Sequence, residues 1–317
     1  MRSIASAPGK VILFGEHFVV YGIKAILCSI DKRITVTSQF IDDKKIRIRS
    51  SLGEFEMNMD SLNNLDNVQQ KFMRPFFYIV QKAIEKNFTE QGIDIVIESE
   101  IPVGAGLGSS SAACVAVTAS VNGLFHKLSK DEVMKIAIHA ERTIFEQNSG
   151  ADSSVSTFGG LVLYDLKNGF QDIASRNDLS FVISNSGQVH DTQDVVMQVK
   201  NFREKNKDLF NKLCNEETDI VNNAITALKE NNLNKLGSLM LKNHDLLKQI
   251  GVSTEKIDFL VNEAKKTSYG AKITGAGGGG CIISLVDDSS DNTLDNLRKI
   301  SDCFIARIDY DGLKYER

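Results

Sequence analysis

The chain reads as short apolar runs cut by polar or glycine-rich breaks, and its apolar spacing shifts along the sequence between a period of two and one near 3.6. Residues 11–14 and 18–21 are apolar runs separated by Gly15, Glu16 and His17, which predicts two strands around a tight polar turn. Ile46 and Ile48 alternate with Arg47 and Arg49, and Ile93, Ile95 and Ile97 stand two apart, so both stretches predict half-buried strands. The second of these leads through Pro102 into PVGAGLGSSSA (102–112) and an alanine-rich run, giving strand, loop and helix in order. Ser129 with Glu132 makes a capping box ahead of a helix over 130–146, and Asp152 precedes a strand-like VSTFGGLVLYD. Further on, KLGSLMLKNHDLLKQI and TEKIDFLVNEAKK carry apolar residues three and four apart and predict helices. A strand over 271–274, a second glycine cluster and the strands CIISLV and CFIARID complete an α+β alternation. The change of character near 175–180, in NGFQDIASRNDLS, divides the chain into domains at 1–178 and 179–317.

Size agrees with that division, since 317 residues exceed what one hydrophobic core usually serves. A net charge of −4 and the lack of a dense basic block argue against nucleic acid as a partner. No apolar run approaches the roughly 18 residues that span a bilayer, and MRSIASAPGK has no signal-peptide core, so no membrane partner and a soluble, cytoplasmic protein are expected. Five cysteines without a CxxC pair fit reduced thiols, with Cys28, Cys114 and Cys281 as packing residues.

The two glycine clusters, 102–112 and KITGAGGGG at 272–280, point to a phosphate-bearing ligand. Gly104, Gly106 and Gly108 let the backbone approach phosphate oxygens, and the helix that follows Ser109, Ser110 and Ser111 presents free amides at its positive end. The string is not GxxxxGK[ST], so this is not a P-loop. Lys10 opens an apolar run and either reaches past the strand end toward a ligand or is a surface lysine. Glu16 and His17 interrupt apolar sequence, as a functional pair or as a polar turn. On the 130–146 helix, Val133, Ile136, Ala137, Ala140 and Ile144 form one apolar stripe and Met134, Ile138, Glu141 and Phe145 a second, which buries the Glu141 carboxylate. A buried carboxylate needs a cation, a proton or an Arg or Lys partner. Asp152, after the flexible Asn148–Ser149–Gly150–Ala151, is placed to meet substrate or to cap an element. A phosphate loop, a buried acid, a lysine and a second acid are together the parts of a phosphoryl-transfer site.

Three segments in order, PGKVILFGEHFVVYG (8–22), PVGAGLGSSSA (102–112) and KITGAGGGGCIISL (272–285), resemble the GHMP kinases, and NHDLLKQIGVS (243–253) adds weaker support. The first segment is similar to the branch that phosphorylates mevalonate. The resemblance implies a two-domain α+β fold, ribosomal protein S5 domain 2-like then ferredoxin-like, with ATP and mevalonate as substrates, Mg2+ as cofactor and a homodimer as the expected assembly. It implies that Pro102, Val103, Gly104, Ala105, Gly106, Leu107, Gly108, Ser109, Ser110, Ser111 and Ala112 wrap the ATP phosphates and that Ser110 and Glu141 hold magnesium. Asp152 would deprotonate the acceptor hydroxyl and Lys10 would stabilise charge on it. Glu16, His17 and Thr157 would line the acceptor pocket, and Gly275, Ala276 and Gly277 would close over the transferring phosphate. Three features depart from the family: Ser111 replaces a usual alanine, Glu146 and Asn148 replace the glycine and proline before SGxD, and His190, Asp191 and Gln193 surround Thr192. The alternatives are another small-molecule kinase of the family, such as one acting on phosphomevalonate, and a catalytically silent nucleotide-binding regulator. The first would need extra bases in the acceptor pocket, where Lys200 is the only lysine or arginine between 183 and 200. The second would have lost Lys10, Glu141 or Asp152.

Overall fold

The computed structural model describes residues 1–102, 104–146, 148–173, 178–189, 191–287 and 291–316. The chain opens with β1 (Arg2–Phe14), β2 (Ala25–Ile41), β3 (Lys45–Ser50) and β4 (Gly53–Asn58), then α1 (Arg74–Asn87), β5 (Gly92–Ser99), α2 (Ser109–Asn122), α3 (Lys130–Arg142) and α4 (Ala151–Phe158). The strands β6 (Leu161–Asp165) and β7 (Gly169–Asp172) complete this part of the chain. The larger sheet has the order β12-β1-β2-β5-β3-β4, where β12 (Lys314–Tyr315) is the end of the chain, and β6 pairs with the first residues of β2. Its pairs are antiparallel apart from β3 beside β5. The small residues of α2, Ala112, Ala113, Cys114, Ala116 and Ala119 among them, bury that helix against β1 and β2.

The remainder runs β8 (Ser180–Asn185), α5 (Thr192–Lys205), α6 (Lys207–Lys229), α7 (Leu233–Gln249), α8 (Glu255–Ala264), β9 (Gly270–Thr274), β10 (Cys281–Val286), α9 (Asp291–Arg298) and β11 (Asp302–Arg307). The sheet order β11-β8-β10-β9, antiparallel throughout, is the ferredoxin-like split βαβ arrangement. The change of sheet falls between Asp172 and Ser180; residues 174–177, inside the segment read as the domain boundary, lie outside the described residues.

Three elements differ from the sequence reading. Residues 18–21 form a 3-10 turn, not a strand: Gly15 (φ 94°) and His17 (φ 61°) reverse the chain, and the Val19 N–H donates to Gly15 O at 3.0 Å. Phe18 and Tyr21, three apart, both pack on Phe210 of α6, with ring centroids 5.8 and 4.9 Å away. A four-residue apolar run fits either geometry, and tertiary packing chose the helical one. Asp152 lies in the first turn of α4 rather than ahead of a strand, because the helix continues to Phe158 and stops at Gly159 and Gly160, both at φ 78°. The capping box of α3 is present, but the helix ends at Arg142, where the Thr143 N–H and hydroxyl both turn back to Ala140 O. Cys28, Cys114 and Cys281 are buried, and all five thiols are free. Among the described residues no helix is long and apolar enough to cross a membrane.

Candidate active site

The site forms where β1, the two glycine loops and the N-termini of α2 and α4 meet. Pro8 donates no ladder bond, and the register of β1 against β2 shifts between Pro8 and Gly9. A Cβ on Gly9 would lie 2.8 Å from Ile101 Cδ1 and 2.9 Å from Leu107 O, so only glycine lets the strand come this close to the first loop. The Lys10 N–H then donates to Leu107 O at 2.9 Å, fixing the lysine beside the loop. The buried Lys10 extends to Asp152, with Nζ 3.1 Å from Oδ2, while the Asp152 side chain keeps about a third of its surface open (36%). Strand end and helix start thus deliver a cation and a carboxylate to one point.

The loop itself is anchored by the buried Ala105 and Leu107, while Gly104, Gly106 and Gly108 take left-handed φ of 72°, 74° and 72°. Pro102 is half-buried ahead of it, and Val103 lies outside the described residues. Gly108 is the N-cap of α2, and its Cβ would sit 2.7 Å from Lys10 Cγ. Ser109 is half-buried, Ser110 is exposed, and Ser111 and Ala112 are buried. The second loop comes against the first: a Cβ on Gly275 (φ 85°) would lie 3.4 Å from Gly106 O. Gly277 (φ 78°) passes so near Val252 that a Cβ would meet its carbonyl oxygen at 2.4 Å.

Glu141 is buried as its helical position predicts, but its partners are neutral. Ser111 Oγ donates to Oε1 at 2.7 Å, and Ser153 Oγ and Asn148 Nδ2 donate to Oε2 at 2.6 and 3.0 Å. Burial raises its carboxyl above the ordinary value; these donors pull it back, and the Asp152 charge adds to the rise. Two of the departures noted in the sequence, Ser111 and Asn148, therefore grip the same carboxylate. Among the described residues no group of three or more His, Cys, Asp or Glu could hold a metal, so a metal here would rest on few protein ligands.

The acceptor residues divide. His17 Nε2–H donates to Ala276 O at 2.6 Å, linking the first motif to the second loop. Burial lowers its pKa, which leaves a neutral ring with Nδ1 as an acceptor. Glu16 is buried in an ion pair with Lys272. Its Oε2 has no hydrogen-bond partner among the described residues. Thr157 is buried and gives its hydroxyl to Ser153 O at 2.7 Å. His190 lies outside the described residues, and Asp191 caps α5 through the Gln193 N–H at 2.7 Å.

Sequence reasoning missed Lys272, Glu217, Asn243 and Ser153. Glu217 was within reach: on α6 it falls in line with Phe210, Leu213, Ile220 and Ala224 at helical spacing, the same signal that singled out Glu141.

The comparisons with known proteins agree with this geometry. The model described as GHMP kinases N terminal domain matches residues 75–160, and the one described as GHMP kinases C terminal matches residues 224–300. The mevalonate kinase of Pyrococcus furiosus is 36% identical over 335 residues, covering 100% of this chain and 99% of that protein. The crystal structure of the Methanococcus jannaschii mevalonate kinase superposes with a TM-score of 0.86 at 30% identity, over 96% of this chain and 98% of the other. That of L. major mevalonate kinase in complex with R-mevalonate gives 0.84 at 26%, over 96% and 95%.

Proposed function

We infer that this chain, which belongs to the GHMP kinase family, is an ATP-dependent mevalonate kinase of isoprenoid biosynthesis: it transfers the γ-phosphoryl group to the primary hydroxyl of mevalonate and yields 5-phosphomevalonate. The observation that carries the catalytic assignment is the Lys10–Asp152 pair at 3.1 Å beside the two touching glycine loops. Asp152 accepts the hydroxyl proton as the new O–P bond forms and the bond from the γ-phosphorus to the β-phosphate oxygen breaks, releasing ADP. Lys10 Nζ meets the negative charge on the acceptor oxygen and the transferring group. The 104–111 loop and the first amides of α2 hold the phosphates, and Gly275, Ala276 and Gly277 cover them from the other side. His17, with Glu16 and Thr157 behind it, shapes the mevalonate pocket. The division between halves, 1–178 and 179–317, sets the nucleotide between the two sheets, although β12 returns to the first of them.

Hard oxygen donors and a buried carboxylate without a cationic partner suit magnesium, which binds through one or two protein groups and phosphate oxygens. Glu141 and a serine of the 109–111 run would hold it. Held there, the ion would supply positive charge against that of the nucleotide phosphates. Ser111, Ser153 and Asn148 keep the Glu141 carboxylate oriented.

An ADP-release assay with magnesium-ATP and mevalonate, phosphomevalonate, homoserine or galactose tests this reading. Turnover is expected with mevalonate alone. Turnover with another acceptor overturns the substrate, and nucleotide binding without turnover on any of them overturns the enzyme.

A further inference from the structure

Beneath the turn that carries Glu16 and His17 lies a buried cluster of which the reaction as described uses Glu16 alone. It holds two carboxylates, Glu16 and Glu217, and one lysine, Lys272, each almost fully shielded from water. Glu217 comes from the middle of α6. Its Oε1 accepts the Gly15 N–H at 2.8 Å, and its Oε2 accepts from Asn243 Nδ2 of α7 at 2.7 Å. Lys272, the first residue of the third motif, pairs with Glu16 and also donates to Ile273 O at 2.6 Å. A buried carboxylate is costly unless hydrogen bonds offset its desolvation, and for Glu217 those bonds come from the Gly15 amide and Asn243.

The turn above it is strained. Gly15 has φ 94°, with room for no Cβ, since one would lie 2.6 Å from Ala25 Cα. His17 has φ 61°, a conformation that non-glycine residues hold only when their surroundings impose it. The ties that impose it come from outside β1: Ala276 O holds the His17 ring, Lys272 holds Glu16, and Glu217 holds the Gly15 amide. The helix that supplies Glu217 also supplies Phe210, two turns earlier, under the rings of Phe18 and Tyr21. One face of α6 thus grips the turn on both sides of Glu16 and His17.

We propose that Glu217 is a positioning residue for the acceptor: by accepting the Gly15 N–H it holds the Gly15–Glu16–His17 turn in the strained form that binds the substrate alcohol. Glu217 itself bonds to Gly15 and Asn243 and to no residue of the 104–111 loop, so the effect falls first on the acceptor. This rests on the reading of that turn as the mevalonate pocket. The test is steady-state kinetics of wild type, Glu217→Leu and Asn243→Ser, with the melting temperature of each. Leucine is close in size and offers the Gly15 N–H no acceptor, whereas glutamine would keep a carbonyl oxygen for that bond and could give its N–H to Asn243 Oδ1, which has no partner among the described residues. A roughly tenfold rise in KM for mevalonate is expected, with kcat within about threefold and KM for ATP unchanged. Asn243→Ser, which frees Glu217 from its orienting amide, should move the same constant by a smaller factor, and it decides the matter should Glu217→Leu not fold. A mevalonate KM within twofold of wild type in a folded variant overturns the proposal, as does a parallel rise in the ATP KM, the mark of a general structural role. Wild type that turns over a different alcohol instead removes the mevalonate reading, independently of how the variants behave.

Discussion

Asp152 and Glu141 show how two carboxylates of one site take different work from their surroundings. Asp152 stands half open at the start of α4 with an ammonium 3.1 Å away, while Glu141 is enclosed and held by two hydroxyls and an amide. The open acid has a face left for a bound alcohol, while both oxygens of the enclosed one are taken by its three donors. Asp152→Asn keeps the size of the side chain and removes its basicity. It should therefore leave ATP affinity intact and lower turnover on the order of 10²-fold or more. Turnover near the wild-type rate, measured at saturating substrates, removes Asp152 as the base. Of this pair, the burial of Glu141 was legible from helical spacing. Its partners were not, because Ser111, Asn148 and Ser153 lie on three segments that only the fold brings together. The choice among Ser109, Ser110 and Ser111 was equally closed to sequence. A run of three serines has no internal asymmetry until the helix turns Ser111 inward toward Glu141 and Ser110 outward.

At the scale of elements, the strands of period two and the helices of period 3.6 were readable because each has one wet face. The misreadings fell where the sequence shows no alternation of wet and dry positions, whatever the burial, since Val20 is 61% exposed. Residues 18–21 and α4 carry apolar or small side chains on all sides, so periodicity had nothing to report, and packing on Phe210 and the Gly159–Gly160 stop decided them. The glycine loop, by contrast, is legible and sharp in its consequences. Alanine at Gly108 would be held at φ 72° with its Cβ 2.7 Å from Lys10 Cγ and 3.1 Å from Cε, so the Lys10 side chain must move. Gly169, in the turn between β6 and β7, has φ 70° and open space around it. Both alanine variants should therefore lose roughly 1–2 kcal/mol to the backbone alone. Only Gly108→Ala should also lose turnover, by about tenfold or more, since misplacement of a catalytic group is costly even at 1 Å. Equal activity in the two variants, with matched melting temperatures, would show that Lys10 does not depend on the shape of the loop.

Across the whole molecule, two loops some 170 residues apart close on one another, and the first motif is locked from below by helices of the other half. Sequence gave the loops as partners through their shared chemistry. It could not give the lock, because Glu217 and Lys272 acquire their meaning only from each other and from Glu16. The lock has a measurable electrostatic signature. Burial, with the negative Glu16 beside it, pushes the Glu217 carboxyl up from the ordinary 4.5 to about 8, against the pull of Asn243, Lys272 and the Gly15 amide. The folded protein thus holds a proton there that the unfolded chain releases near pH 4.5. Stability from this group is complete below that pH and is lost as pH rises toward and through 8. Glu16, Lys272 and the nearby Cys214 face the same carboxyl and remain in Glu217→Gln, so the difference between variant and wild type isolates it. Glutamine cannot ionise. Its melting temperature relative to wild type should therefore climb steadily between pH 5 and pH 9 and level off above that. A difference that stays flat across this range means that Glu217 is ionised throughout, with Lys272 balancing both carboxylates at once.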